Sequence, residues 1–389
     1  MEIKIYSVIT FVTLLLLVQS VCRSQNFVPN ISNTIDTTTQ LVHSGPKVES
    51  TSTNYKSSQV NSTINYSPTF VLTNSSPSGH RNSLHRYKVE PIPLSQAAKN
   101  LITSNNASVL PMIDGTYWRE ESDLDYGRLF TSFGAIAAAD LVAYTYASSI
   151  WYREETTKFH TLDFSRDMQK WQYMDKIGHF TDAYFVSDLT SKMYRWSGMS
   201  GNSSVWYGAL TGWIWMLQIE MSDGFMAEWG FSWGDLLANT LGAGFFVLQQ
   251  FNYDLLGGIH PKISWHKSDA WKEGRYYREI DALIDDYEGL TFWIAINFHH
   301  YVPDKWKEDY PKWLAPLGIA FGYGAKGIAG NPYGGRNEFF IGMDIDLRKI
   351  PFLDDWDLFR FIKSELNFIR LPLPTIRISQ SGVWYGFYF

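Results

Sequence analysis

Hydrophobic and polar positions divide the chain into unlike stretches. Val8 to Val18 is an almost unbroken apolar run, with Leu14 to Leu17 consecutive. A long stretch with few large apolar residues follows, and from Pro111 onward aromatic and aliphatic residues dominate. Four segments there have helical length and apolar content: Tyr126 to Trp151, Asp175 to Trp196, Val205 to Met221 and Trp233 to Phe251. Two of them are apolar nearly all round, which predicts a deep core or contact with lipid. Each also has a carboxylate inside it or at its end, a costly group in lipid. The expected arrangement is a compact bundle, buried in protein or dipping partly into a bilayer.

Beyond Gly289 the period changes from helical to two. In Asn337 to Ile350, Phe339, Ile341, Met343, Ile345 and Leu347 alternate with Phe340, Gly342, Asp344, Asp346 and Arg348, the pattern of a half-buried strand. Phe292, Ile294, Ile296 and Phe298 alternate likewise. Leu317 to Ala325 sets large residues against Gly and Ala, as in a strand packed closely on one face. Asp354-Asp355 marks the start of a helix through Leu366. A last strand, Thr375 to Phe389, is expected to place Val383, Tyr385, Phe387 and Phe389 on one face. A terminal phenylalanine on an alternating aromatic strand resembles the closing strand of outer-membrane barrels. Four or so strands are too few for a closed single-chain barrel, so a partly open sheet is expected.

The fold class is therefore α+β: an aromatic-rich helical bundle over residues 109–256, then a small antiparallel sheet over 257–389. Residues 1–25 read as a secretory signal peptide, from a short start with Lys4, the apolar run and a small-residue exit. That run is too short to span a bilayer comfortably. The sole cysteine, Cys22, closes this segment as a possible lipid-attachment site, although Val21 before it is larger than such sites prefer; no cysteine pair exists to form a disulfide. Residues 26–108 are rich in Ser, Thr and Asn and cannot bury enough apolar area to offset ordering, so a disordered tether is expected. Asn-x-Ser/Thr triplets such as those at Asn61 and Asn106 are what chance gives in such a tract. The formal net charge is −6 with no basic block, which gives no support for a nucleic-acid partner.

Chemistry candidates cluster on three helices. Asp175, Lys176, His179 and Asp182 lie on the first, with Asp175, His179 and Asp182 at helical spacing on one face. Glu220 and Asp223 end the second, and Ser232 is a plausible N-cap for the third, which carries Asp235 and Asn239. Gly242-Ala243-Gly244 permits close helix contact there. If these helices pack, their polar faces meet inside, because exposing the apolar sides would cost more than a buried hydrogen bond returns. Three readings stay open for the cluster. It can be a paired network that fixes helix register. It can be a catalytic site in which His179, oriented by Asp175, acts with Glu220 or Asp223 on an activated water. It can be a divalent-metal site built of Asp, His and Glu. The adjacent His299-His300 pair is no substitute, since successive strand residues face opposite ways.

Asp175-Lys176-x-x-His179-Phe180, Glu220-x-x-Asp223, Ser232-Trp233-x-Asp235-Leu236 and Gly242-Ala243 resemble the YfiM-like periplasmic lipoproteins, a domain family of unknown function. The same spacing more faintly resembles VanZ-like membrane proteins. The likeness covers roughly residues 125–255 and is specific as a combination. It implies an envelope protein with a helical core, and carries no reaction, substrate or cofactor with it. The expectation is an exported protein of the periplasm or outer membrane, with membrane components as partners. It acts as a membrane-associated scaffold or assembly factor, or alternatively as a hydrolase of an envelope lipid or glycan.

Overall fold

A computed structural model describes residues 124–152, 156–276, 280, 282–352 and 356–389. The signal peptide, Cys22, the tether and the Asp354-Asp355 helix start all lie outside the described residues.

The α+β fold is present. Helix α1 (Tyr126–Trp151) opens on Asp125, whose side chain accepts from the Arg128 backbone N–H. A short helix α2 (Phe164–Gln169) precedes α3 (Met174–Trp196), α4 (Gly201–Asp223) and α5 (Trp233–Phe251). The three long central helices share close backbone approaches. Gly212 of α4 leaves no room for a β-carbon against Ser187 of α3, and Gly242 of α5 leaves none against the Phe180 carbonyl. A larger side chain at either place would push its helix away from α3. Of the expected small-residue stripe, Gly242 makes this contact and Gly244 faces open space. Leu129, Phe133 and Ile136 pack α1 onto Tyr194 and Met199. Among the described residues α1 alone is long and apolar enough to cross a membrane.

Six strands, two more than expected, form one antiparallel sheet in sequential order: β1 (Ile259–Trp265), β2 (Leu290–Asn297), β3 (Leu317–Lys326), β4 (Arg336–Ile345), β5 (Leu373–Arg377) and β6 (Val383–Tyr388). Helix α6 (Asp357–Leu366) lies between β4 and β5. The segment 375–389 is thus two strands, turned where Gln380 adopts a φ of 62°. The register shifts between Leu373 and Thr375, so a bulge in β6 changes the side-chain parity. Tyr388 therefore turns inward while Phe387 is exposed, and the expected single face of Val383, Tyr385, Phe387 and Phe389 is not formed.

The sheet curls. Tyr388 of β6 packs on Phe340 of β4 at 4.6 Å and on Trp293 of β2 at 5.9 Å, and reaches His266, just past β1, at 6.0 Å. The Arg370 guanidinium sits 3.9 Å over the Trp293 ring. Gly322 lies directly under Trp293, which explains why β3 sets small residues against large ones.

Beside this aromatic cluster, the sheet carries buried charge inside and an apolar row outside. Its concave, buried side holds Lys262 against Asp344 at 2.8 Å and Arg377 against Glu338 at 2.6 Å. Its convex side carries Ile294, Phe321, Ile341, Ile376 and Trp384, neighbours in one row across five strands. Phe321 is 47% and Trp384 64% exposed. The period-two pattern of β4 was legible, but its apolar half faces outward and its charged half faces in.

Candidate functional site

The sequence Trp171-Gln172-Tyr173 takes a left-handed turn at the head of α3, with φ between 51° and 63° at three successive non-glycine residues. Such residues cost about 1 kcal/mol or more each, so outside contacts must hold them. They do: the Trp171 N–H donates to Pro332 O at 2.7 Å, and the Tyr323 hydroxyl donates to Gln172 O at 2.6 Å. The sheet and its loop thereby fix the first turn of α3, which carries Asp175 and Lys176 and sets the direction of the next turn with His179.

Lys176 is the centre of the cluster. Its Nζ lies 2.9 Å from Asp167 Oδ2, 3.0 Å from Asp175 Oδ2 and 3.0 Å from Asp235. Burial works against the ammonium, but the carboxylates of Asp175, Asp235 and Asp167 outweigh it and push its pKa up. Asp175 is likewise opposed by burial yet held below the usual carboxylate range by Lys176 and His179. Its Oδ1 accepts the Tyr287 hydroxyl at 2.8 Å.

His179 sits one turn along α3. Its Nδ1 meets Asn239 Oδ1 at 3.2 Å and Glu220 Oε1 at 3.5 Å. Its Nε2 lies 3.9 Å from Asp175 and 4.0 Å from Asp235. Burial lowers its pKa, but Asp235, Glu220 and Asp175 prevail and push it up to about 10. The imidazole is therefore cationic at neutral pH, with Nδ1–H donating to Asn239. Glu220 is pushed well above its ordinary range, chiefly by burial, with Asp235 and Asp223 adding to the effect. Asp235 is raised by burial and by Asp175.

Ser232 caps α5 as its position implied: the Asp235 N–H donates to its Oγ at 2.9 Å. The same hydroxyl donates to Asp167 Oδ2 at 2.5 Å, and the Ser232 N–H donates to Glu220 Oε2 at 3.2 Å. One capping residue thus ties α2, α4 and α5 together.

Of the candidate residues, Asp175, Lys176, His179, Glu220, Asp235 and Asn239 converge in this way. Asp223 instead accepts the Tyr152 hydroxyl at 2.7 Å, and burial raises its pKa to about 7. It ends α4 one turn beyond Glu220, which aims it at α1. Asp182 is exposed on α3, and its link to the cluster is the charge of His179. His299 and His300 lie in a single-turn helix, Phe298–Tyr301, and not in the strand. His300 bonds to the Tyr253 carbonyl at 3.0 Å. Asp167 and Tyr287 gave no sequence signal as site residues: one is the fourth residue of a helix too short to show a period, and the other lies in a loop.

The cluster keeps contact with solvent. Asp175 and His179 side chains are 21% and 15% exposed, whereas Glu220 is 1% exposed. Two buried polar atoms here lack a hydrogen-bond partner, Glu220 Oε1 and Asn239 Nδ2, while Asp235 Oδ1 is answered by the Lys176 ammonium at 3.0 Å. Chemically, the arrangement offers a fixed cation, a charged imidazole and carboxylates that open toward one side.

The model of a family described as predicted periplasmic lipoprotein (DUF2279) matches residues 164–251. Those residues run from α2 to the end of α5 and contain the whole helical part of the cluster. The resemblance to a periplasmic lipoprotein family holds over that span, while the YfiM-like and VanZ-like likenesses are not addressed by it. No curated protein and no solved structure matches the chain.

Proposed function

We propose that this chain is an exported envelope protein that seats the convex face of its curled sheet in a membrane and serves there as a scaffold or assembly factor. The buried charge and outward apolar row of the sheet carry this reading. An antiparallel sheet with one face in water places apolar residues inward and polar ones outward. Here Lys262, Glu338 and Asp344 are at most 4% exposed, and the outward row is Ile294, Phe321, Ile341, Ile376 and Trp384. Apolar-out and polar-in alternation is the pattern of strands that face lipid. Fully burying an exposed large apolar side chain gains about 1.5–3 kcal/mol, so these roughly half-exposed residues forgo on the order of 1 kcal/mol each in water. A row of five then comes to about the lower end of the net stability of a typical domain.

The helices support the same reading. On α5 the outward stripe is Trp233, Leu237, Leu241 and Leu248, each about half exposed. Strands β3 and β4 are ten residues long, close to the length that crosses a hydrocarbon layer. The apolar N-terminal run and the match to a family described as predicted periplasmic lipoprotein support export.

The test is flotation of the purified chain, carrying Cys22→Ser so that no lipid on the cysteine can contribute, with phosphatidylethanolamine and phosphatidylglycerol vesicles. The expected result is co-flotation that is lost in a Phe321→Glu, Trp384→Glu double variant. A folded wild-type chain that stays at the bottom of the gradient would overturn the proposal.

A second reading, a hydrolase of an envelope lipid or glycan, is favoured by one observation: the cluster opens to solvent through Asp175 and His179. Loss of an envelope phenotype in a folded His179→Gln variant supports it, and full function in that variant removes it.

A further inference from the structure

We propose that α6 is a second lipid contact, an amphipathic helix that lies in the plane of the bilayer interface; this rests on the membrane reading of the sheet and adds a separate element to it. A surface helix of a water-soluble domain turns its apolar stripe to the core. Helix α6 is strongly amphipathic and does the opposite. Its polar side faces the protein. Ser364 Oγ and Glu365 Oε1 accept from the buried Lys192 ammonium at 2.6 and 2.8 Å. At the helix end, Asn367 Oδ1 accepts from Lys262 Nζ at 3.0 Å and from the Leu347 N–H at 2.9 Å. Arg370 then donates to Thr375 Oγ1 at 2.8 Å and to the Met343 carbonyl at 2.9 Å.

The outward side is Leu358, Ile362, Leu366 and, in the turn that follows, Ile369, at helical spacing and between 38% and 60% exposed. Glu365, next to this row, is drawn back to Lys192, so the row offers aliphatic carbon alone. Scattered exposed apolar residues are ordinary, but a contiguous stripe marks a contact surface. Ten residues rise about 15 Å, far short of a membrane span. The helix therefore lies along the interface, where helices of this kind bury their apolar face about 5–10 Å deep.

The surroundings of the helix point to lipid. Phe352 and Trp356 precede it, and both are exposed. Leu317 pairs with Ile345, so the β2–β3 loop leaves the sheet at the end from which the chain runs into α6. That loop carries exposed Trp306 and Trp313, with the Lys305 ammonium 5.0 Å over the Trp306 ring. Tryptophan beside lysine is the composition of a membrane–water boundary, where the ring sits among headgroups and the ammonium reaches water. On the other side of α6, exposed Leu371 leads into β5, whose Ile376 belongs to the convex row. The apolar surface of α6 thus runs along the chain into the face proposed for lipid.

The test uses the full chain with Cys22→Ser and Ile362→Cys, labelled at its one thiol with the polarity-sensitive dye NBD, and phosphatidylethanolamine and phosphatidylglycerol vesicles. The expected result is a blue shift on adding vesicles, with stronger quenching by lipids that carry a nitroxide near the headgroup than by lipids that carry it deep in the acyl chain. An Ile362→Asp, Leu366→Asp variant is expected to unfold at the wild-type midpoint and to bind vesicles about tenfold more weakly. Where that variant loses stability, the dye decides alone. A dye that stays in water on a chain that floats overturns the α6 contact and leaves the sheet reading standing, whereas a chain that does not float overturns both. A blue shift without vesicles also overturns it: one that grows with protein concentration shows a second copy on α6, and one that does not shows the row covered by its own chain.

Discussion

Lys176 on α3 joins Asp167 on α2 at 2.9 Å while it also holds Asp175 and Asp235. One ammonium therefore neutralises carboxylates from three helices. Removing it takes the buried cation from Asp167 and leaves Asp175 and Asp235 with His179 alone, and breaking a buried pair costs about 3–5 kcal/mol. Lys176→Met is expected to lose at least that much in a denaturant titration. A loss below about 1 kcal/mol would show that the carboxylates find other counter-charges, and that Lys176 does not hold the helices together.

Asp223 makes a prediction in pH. Its folded pKa is raised to about 7, first by burial, above an ordinary value of 3.8. The folded state thus binds the proton more tightly than the unfolded state. The stabilisation this proton gives is complete below about pH 4 and lost as pH rises toward 7, by a few kcal/mol at most. Asp223→Asn keeps an acceptor for the Tyr152 hydroxyl and has no charge to bury. It is expected to equal wild type at pH 4 and to exceed it by about 1–3 kcal/mol at pH 8. Equal stabilities at both pH values would mean that the carboxylate is solvated in the folded chain.

Much of this architecture was legible in the residues, for reasons that can be named. The bounds of α1 and α5 were readable because apolar content starts and stops with them, and Ser232 announced its helix by capping chemistry. The meeting of Asp175, His179, Glu220, Asp235 and Asn239 followed from polar faces on apolar helices. Asp167 escaped because a six-residue helix shows no period, and β1 escaped because Ile259–Trp265 holds His260, Pro261 and Lys262 among its apolar residues. Sequence alternation separates two faces of a strand but does not say which one is buried. That is decided by the partners: Trp293, Tyr388 and Arg370 join Phe340 on the concave side, and nothing local in β4 encodes those three.

Close helix approach gives a third prediction. Gly242 faces the Phe180 carbonyl with no room for a β-carbon. Backbone cannot give way as a flexible side chain can, so α5 must shift and carry Asp235 and Asn239 away from His179. Gly242→Val is expected to destabilise by about 1–3 kcal/mol or more. Gly244→Val, which meets open space, is expected to stay within about 1 kcal/mol of wild type. Thermal unfolding of the two side by side decides it, and equal losses would remove the packing argument.

The outward apolar row is tested most directly by comparing two phenylalanines on adjacent strands. Phe340 of β4 is 2% exposed and packs on Tyr388, whereas Phe321 of β3 is 47% exposed on the convex row. Truncating a buried phenylalanine costs about 3–5 kcal/mol, so Phe340→Ala is expected to lose that much in detergent and in buffer alike. Phe321→Ala has about half as much protein packing to lose, so its loss in buffer should be clearly smaller, while its affinity for vesicles falls. If instead Phe321→Ala costs as much as Phe340→Ala in buffer, the convex face is covered by protein, and the lipid contact proposed for it is wrong.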